Sequence, residues 1–315
     1  MTSIATWPDC RRTHDDQPCV ACGLPCPNRG DTRITTTAVL CDIGGHDVVL
    51  ETILRSLGAD VDSGELPAGL DIVQVGDLVR LSHRRGAGSD RCVEIVDRFM
   101  AASPGQWIQL IGNHEVACIG GPTMDTWDPP SACMTAKTLR TLQRWWDAGA
   151  MRVATVLPLR GQSALVSHAG LTRGRYEAIG MPATPADAAS VLNEVCGNDP
   201  QRWGAPGVLV SGTPTLSADC LWADATSELY PSWVGHQVPF SQVHGHAQVF
   251  DWCRSNWRSD VSDAVKALCV VDPLRRRVRF GGPGAALLGI DWTLTDPSSI
   301  PGDLPPVLVS YGRQR

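Results

Sequence analysis

Short apolar runs alternate along this chain with stretches of helical period. Thr37-Ala38-Val39-Leu40, Ile72-Val73-Gln74-Val75, Ile108-Gln109-Leu110-Ile111 and Ala164-Leu165-Val166 are nearly continuous in β-branched and aliphatic residues, as in strands covered on both faces. Between them the period lengthens. Residues 48–57 read as a helix ended by Gly58, because glycine readily takes the left-handed conformation that closes a helix. Val93, Val96, Phe99 and Met100 share one face of a helix near 89–102, and Leu139, Leu142, Trp145 and Trp146 share one face of another at 135–148. A strand to Cys41, a helix, a strand at 71–76, a helix and a strand at 106–111 predict an α/β fold with a mostly parallel sheet and right-handed crossovers. Residues 267–272 and 278–281 flank a turn at Pro273 and read as a hairpin with Arg275, Arg276 and Arg277 at a solvated tip.

The pattern loosens in three places. Residues 1–34 are polar and without period, forming a cysteine-bearing N-terminal extension. The main domain spans 35–296, and within it residues from about 171 to 239 are rich in Trp, Pro and Gly and form a covering region. Its Trp203, Trp222 and Trp233 are read either as packing residues under a long loop or as a wall against a base or aromatic group of a substrate. The tail, 297–315, is Pro-rich and is expected to lie over the surface without regular structure.

Composition narrows the classes. Of 315 residues, 43% are hydrophobic and 19% charged, which excludes general disorder. The net charge of −6 gives no general attraction to nucleic acid or to an anionic membrane, so neither is an expected partner. No segment approaches the roughly 18–20 apolar residues of a spanning helix, and residues 1–9 lack a basic stretch followed by an apolar one. The expected location is the cytoplasm. Eight of the twelve cysteines are scattered among apolar neighbours, where a thiol behaves as a small hydrophobe. Cys10, Cys19, Cys22 and Cys26, with His14 among them, could wrap a structural zinc or remain free thiols.

The candidate chemistry sits where the apolar runs end. Cys41-Asp42-Ile43-Gly44-Gly45-His46, Val75-Gly76-Asp77, Ile111-Gly112-Asn113-His114-Glu115, Val166-Ser167-His168-Ala169-Gly170 and Val243-His244-Gly245-His246 place polar side chains at strand ends. In open α/β sheets such residues converge where ligands bind. A lone Asp or His there is commonly a cap or a turn former, a reading that remains open for His83, His236 and His244. His244 could also support His246 from the same side of its strand. Together, Asp, Asn and His offer the mixed oxygen and nitrogen donors that suit a divalent Mn, Fe or Zn, with Mg less well matched.

These five segments, in this order over residues from about 35 to about 280, resemble the calcineurin-like metallophosphoesterases, whose pattern runs D-x-H, G-D, G-N-H-E/D, H and G-H. The resemblance implies a four-layer α/β/β/α sandwich of two mixed sheets flanked by helices. It also implies a pair of ions roughly 3.5–4 Å apart that clamp a phosphoryl group and activate water for in-line attack. Carried onto this sequence, Asp77 would bridge the ions, Asn113, His168 and His246 would complete the second site, and Asp42 would serve the first. His114 would protonate the leaving oxygen, with Glu115 following it. The Gly-Asn-His-Glu, Ser-His-Ala-Gly and Leu221-Trp222-Ala223-Asp224 segments resemble the branch of serine/threonine phosphatases and diadenosine-tetraphosphate hydrolases, so the implied substrate is a small phosphorylated molecule or a phosphoprotein.

Two departures bear on this. The D-x-H histidine falls at Gly44, and a second family histidine falls at Gln248, leaving Asp42 and Asp77 to the first ion. His46 could substitute if the Gly44-Gly45 turn brings it inward, or it could simply open the following helix. Where the phosphatase branch reads G-D-x-x-D-R-G, this chain has Arg80, with Arg84-Arg85-Gly86 only later. Arg84 or Arg85 is either a phosphate clamp or part of a solvated basic loop. A catalytically weak or inactive binding module on the same fold is the competing class, motivated by Gly44 and Gln248.

Overall fold

In the computed structural model, residues 34–82, 88–159, 161–196, 203–282, 284–291 and 308–313 are described. The four clustered cysteines of the proposed zinc site, Cys10, Cys19, Cys22 and Cys26, lie outside them. In chain order the elements are β1 (Ile34–Leu40), α1 (Asp47–Ser56), β2 (Leu70–Gln74), α2 (Ser89–Ala102), β3 (Trp107–Leu110), α3 (Asn113–Cys118), α4 (Pro130–Cys133), α5 (Ala136–Asp147) and β4 (Met151–Arg152). There follow β5 (Ala154–Leu159), β6 (Gln162–Ser167), α6 (Arg173–Ala178), α7 (Pro185–Cys196), α8 (Val208–Ser211), a π-helical turn at Ala225–Leu229, α9 (Tyr230–Trp233) and β7 (Ser241–His244). The last are β8 (Phe250–Asp251), β9 (Asn256–Trp257), α10 (Asp263–Ala267), β10 (Cys269–Asp272), β11 (Arg277–Phe280), β12 (Leu287–Gly289) and β13 (Leu308–Arg313).

Two sheets form the centre of the sandwich. The first runs β13-β1-β2-β3-β4 and the second β10-β11-β12-β7-β6-β5. β1 to β4 are parallel, with Ala38 opposite Ile72 and Ile72 opposite Trp107, as helical crossovers require. In the second sheet β7 runs parallel to both β6 and β12 while the remaining pairs are antiparallel. The helices cover the outer faces. Val49, Leu50, Ile53 and Leu54 of α1, Val93, Val96 and Phe99 of α2, and Leu142, Trp145 and Trp146 of α5 are buried in one cluster with β1, β2 and β3. α7 packs on β5 and β6. Each fully buried side chain of this kind stabilises the fold by about 1.5–3 kcal/mol, and Phe99 stacked on Trp107 at 5.5 Å ties α2 to β3.

The tail differs from the surface segment expected of it: residues 308–313 add a strand, β13, antiparallel to β1 with Val39 opposite Leu308. Without it, the free edge of β1 would present unpaired backbone groups. The prolines that suggested irregular structure, Pro297, Pro301, Pro305 and Pro306, all precede the strand. The covering region is helical rather than loose, its period hidden by short elements. Trp203, Trp222 and Trp233 are buried there. Trp203 and Trp233 donate their indole N–H to the carbonyls of Cys196 (2.9 Å) and Leu171 (3.0 Å), so the packing reading holds.

Candidate metal centre

The five segments do converge. Asp42 follows β1, Asp77 follows β2, Asn113 and His114 follow β3, His168 follows β6 and His246 follows β7, all at carboxyl ends of parallel strands, where this topology leaves a crevice. The crevice is a cleft of about 210 Å³ whose described lining comprises Asp42, Gly44, Asp77, Arg80, Asn113, His114, Met124, Trp127, His246 and Asp291. A second cleft, about 170 Å³, lies beside Leu159, Gln162 and Arg279. Arg279 there already donates to the carbonyls of Gly281 and Gly282.

Buried polar groups fix the loops. The Gln74 amide is wholly buried, donating to the Gly76 carbonyl (2.7 Å) and accepting from the Gly76 N–H (2.9 Å). Glu115, also wholly buried, accepts from the backbone N–H groups of Asp77 (2.8 Å), Gly112 (2.8 Å) and Val79 (2.9 Å). One carboxylate thus stitches the loop after β2 to the loop after β3. The two loops touch so closely that a Cβ on Gly112 would overlap the Asp77 backbone, which is why glycine precedes Asn113. Asp77 and His246 themselves sit at φ 52° and 64°. Such non-glycine left-handed residues cost about 1–3 kcal/mol each and cluster at functional sites.

The donor atoms are arranged for a cation. His168 is fully buried, and its Nδ1 donates to the Val75 carbonyl at 3.0 Å. That bond fixes the tautomer and leaves the Nε2 lone pair facing Asn113 Oδ1 at 3.3 Å and Asp77 Oδ1 at 3.5 Å. His246 crosses His168 edge to face at 4.7 Å, is held by the Trp222 backbone, and has a buried Nε2 with no hydrogen-bond partner. Ligand atoms of Asp77, His168 and His246 all lie within 4.8 Å of one another. Lone pairs that converge with no donor among them are the arrangement a divalent ion satisfies.

The charges agree. Burial, then the nearby carboxylates of Asp291 and Asp77, hold the Asp42 carboxyl well above the usual carboxylate range. Burial and then Glu115 raise Asp77, against the His114 N–H and Arg80. Burial pushes His246 and His244 down to about 4, and burial followed by Arg80 pushes His114 down to about 3. The site therefore holds costly carboxylates and neutral imidazoles, and a bound cation reverses the cost.

The expected residues that are described each have a place. Asp42 accepts from the His246 N–H (3.1 and 3.2 Å) and lies 3.9 Å from His168 Nδ1. His114 lies in the cleft with Nε2 3.9 Å from Asp77 Oδ2. His46 is the N-cap of α1 and is not among the described residues of the cleft. His244 turns away, its Nε2 against the Tyr230 hydroxyl (3.1 Å) and its Nδ1 against the Gly245 carbonyl (3.0 Å); it is a core histidine. Arg84 and Arg85 fall outside the described residues. Among the described residues, the guanidinium lining the cleft is that of Arg80, at the position where the departure from D-x-x-D was noted. Trp127, stacked on His114 at 4.1 Å, carried no sequence signal. Asp291 did, since it ends the apolar run Leu287-Leu288-Gly289-Ile290 as the other site residues end theirs.

No family model matches the chain, and comparison with curated proteins finds no match. Similar solved structures include a protein serine/threonine phosphatase from Saccharomyces cerevisiae (11% identity, 91% of this chain and 82% of that one, TM-score 0.44). They also include a candidate diadenosine tetraphosphatase (15%, 88% and 94%, TM-score 0.39) and a metallophosphoesterase from Sphaerobacter thermophilus (14%, 89% and 88%, TM-score 0.34). At such identities a likeness concerns the fold, and activity has to be argued from the side chains.

Proposed function

We propose that this chain is a metal-dependent hydrolase of phosphate esters. The observation that carries the reading is the convergence of the Asp77, His168 and His246 donor atoms within 4.8 Å, in the same cleft as Arg80 and His114. Asp77, Asn113, His168 and His246 would hold one ion, and Asp42 with Asp77 would begin a second site. Bound there, a divalent ion of Mn, Fe or Zn supplies Lewis acidity and a water acidic enough to attack at neutral pH. Arg80 offers a fixed positive charge with paired N–H donors for phosphate oxygens. Arg85 remains a candidate for the same task. His114 offers Nε2–H to the oxygen that leaves.

The substrate class covers phosphomonoesters, phosphoproteins and dinucleoside polyphosphates. Trp127 lines the cleft and stacks on His114 (4.1 Å), with Trp222 at 5.7 Å. No helix among the described residues is long and apolar enough to cross a membrane, and the reading is of a cytoplasmic enzyme. Gly44 and Gln248 favour a second reading, a phosphoesterase-fold binding module with a weakened first site. Chelation followed by titration with Mn, Fe, Zn and Mg, assayed on chromogenic phosphomonoesters and phosphodiesters, tests the two. Hydrolysis that depends on added metal supports the enzyme, and rates equal to buffer with every ion support the binding module.

A further inference from the structure

We propose that Asp291 is a ligand of the first ion, in the place that Gly44 leaves without a side chain. This rests on the phosphoesterase reading and deepens it. β12 lies parallel to β7 with Gly289 opposite His244, and the Ile290 N–H donates to the His244 carbonyl at 2.9 Å. Asp291 therefore leaves the second sheet level with Gly245 and His246, where the Asp42 carboxylate receives the His246 N–H. The Trp252 indole donates to the Asp291 carbonyl at 3.0 Å and anchors that backbone. Asp291 is only 4% exposed, and it lines the same cleft as Asp42 and Asp77.

Burying three carboxylates around one cleft is costly unless a cation joins them. The Asp291 carboxylate lies close enough to those of Asp42 and Asp77 for like charges to repel. The orphaned, buried Nε2 of His246 in the same cleft points to a cation there. Two residues on, Gln248 Oε1 is also buried without a partner, at the position where the family pattern has its other histidine. At Gly44, an added Cβ would meet Arg80 Nη1 at 3.6 Å and His46 Cδ2 at 3.9 Å, and the nearer of the two is a guanidinium nitrogen, which does not ligate a cation. The first site that results is made of carboxylate oxygen from Asp42, Asp77 and Asp291. Such a set prefers hard ions, Mn or Mg over Zn, while the imidazoles of the second site keep their preference for borderline ions.

The test is metal content. The full chain, stripped with chelator and dialysed against excess Mn, is expected to carry about two equivalents, and Asp291→Asn about one. Electron paramagnetic resonance should show exchange-coupled Mn in the first protein and isolated ions in the second. A variant that keeps both equivalents overturns the proposal, as does a wild type that saturates at one, and both results leave the phosphoesterase reading intact. A wild type that binds none overturns the two together. Should Asp291→Asn fail to fold, Mn-soaked crystals of the unaltered chain decide. An anomalous peak contacting both Asp42 and Asp291 at about 2.0–2.6 Å is expected, and a first ion with Asp291 outside its coordination sphere refutes the proposal.

Discussion

The backbone N–H of Leu81 donates to Nδ1 of His114 at 3.1 Å. This fixes the imidazole as the Nε2–H tautomer, while Trp127 stacked at 4.1 Å holds the ring plane. Burial, Arg80 and His246 keep the ring neutral, with its pKa lowered to about 3. On the proposed reading His114 would act through a hydrogen bond to the departing oxygen, which counts most when that oxygen is a poor leaving group. His114→Ala should slow alkyl phosphates by about 10²–10⁴-fold and activated aryl phosphates far less. An equal loss across a leaving-group series would mean that His114 only shapes the cleft.

The donor atoms of Asp77, His168 and His246, the proposed second site, already lie within 4.8 Å of one another, whereas Asp42 stands at their margin, bonded to the His246 N–H. The second site should fill first. Crystals soaked at rising Mn concentration are expected to show density beside His168 and His246 before any beside Asp42. Equal occupancy at the lowest concentration would contradict that order.

Stability should depend on pH and metal together. Asp42 and Asp77 have carboxyls raised by burial, so the folded, metal-free chain holds their protons more tightly than the unfolded chain. Their contribution is complete below the unfolded value near about 4 and is lost as pH rises through the raised folded values. His244 and His246, lowered to about 4, act oppositely. Their contribution is present above about 6.5 and is lost as pH falls towards 4. Manganese ionises the carboxylates in the folded state, so the gap in melting temperature between Mn-loaded and metal-free protein should widen from pH 5 to pH 8, on the order of a few degrees. A constant gap would mean that these carboxylates do not hold the ion.

The convergence of these residues was legible because each candidate ligand ends an apolar run, a signal that depends only on strand burial. Helix α2 was readable for a similar reason, Val93, Val96 and Phe99 recurring at helical spacing. What stayed hidden depends on contacts between distant segments. Trp127 sits in a stretch without periodicity and gains its role by stacking on His114. β13 is defined by the free edge of β1, which no local pattern reveals. Arg80 was visible as a departure from the motif, but its position in the cleft follows from the loop stitched by Glu115.

Gly44 has φ +57°, a conformation histidine adopts at a cost of about 1 kcal/mol or more. The space is open, with Arg80 Nη1 at ordinary contact distance from an added Cβ. Gly44→His should therefore melt slightly lower without metal while showing higher first-site occupancy and faster turnover at limiting Mn. Unchanged stoichiometry and rate in a stable variant would show that Gly44 does not limit the first site.

The most direct measurement compares hydrolysis by the stripped chain, the Mn-reloaded chain and Asp77→Asn, with metal content determined on the same samples. Asp77 belongs to the group of donor atoms it forms with His168 and His246 and lines the cleft with Asp42, so on the proposed reading its carboxylate would serve both ions. Reloading is expected to restore hydrolysis of a chromogenic phosphate ester, with Asp77→Asn losing bound Mn and at least about 10³-fold in kcat/KM, a loss of roughly 4 kcal/mol in transition-state stabilisation. Activity that survives chelation, or an Asp77→Asn variant as active as the parent, would contradict the assignment of this chain as a metal-dependent phosphoesterase.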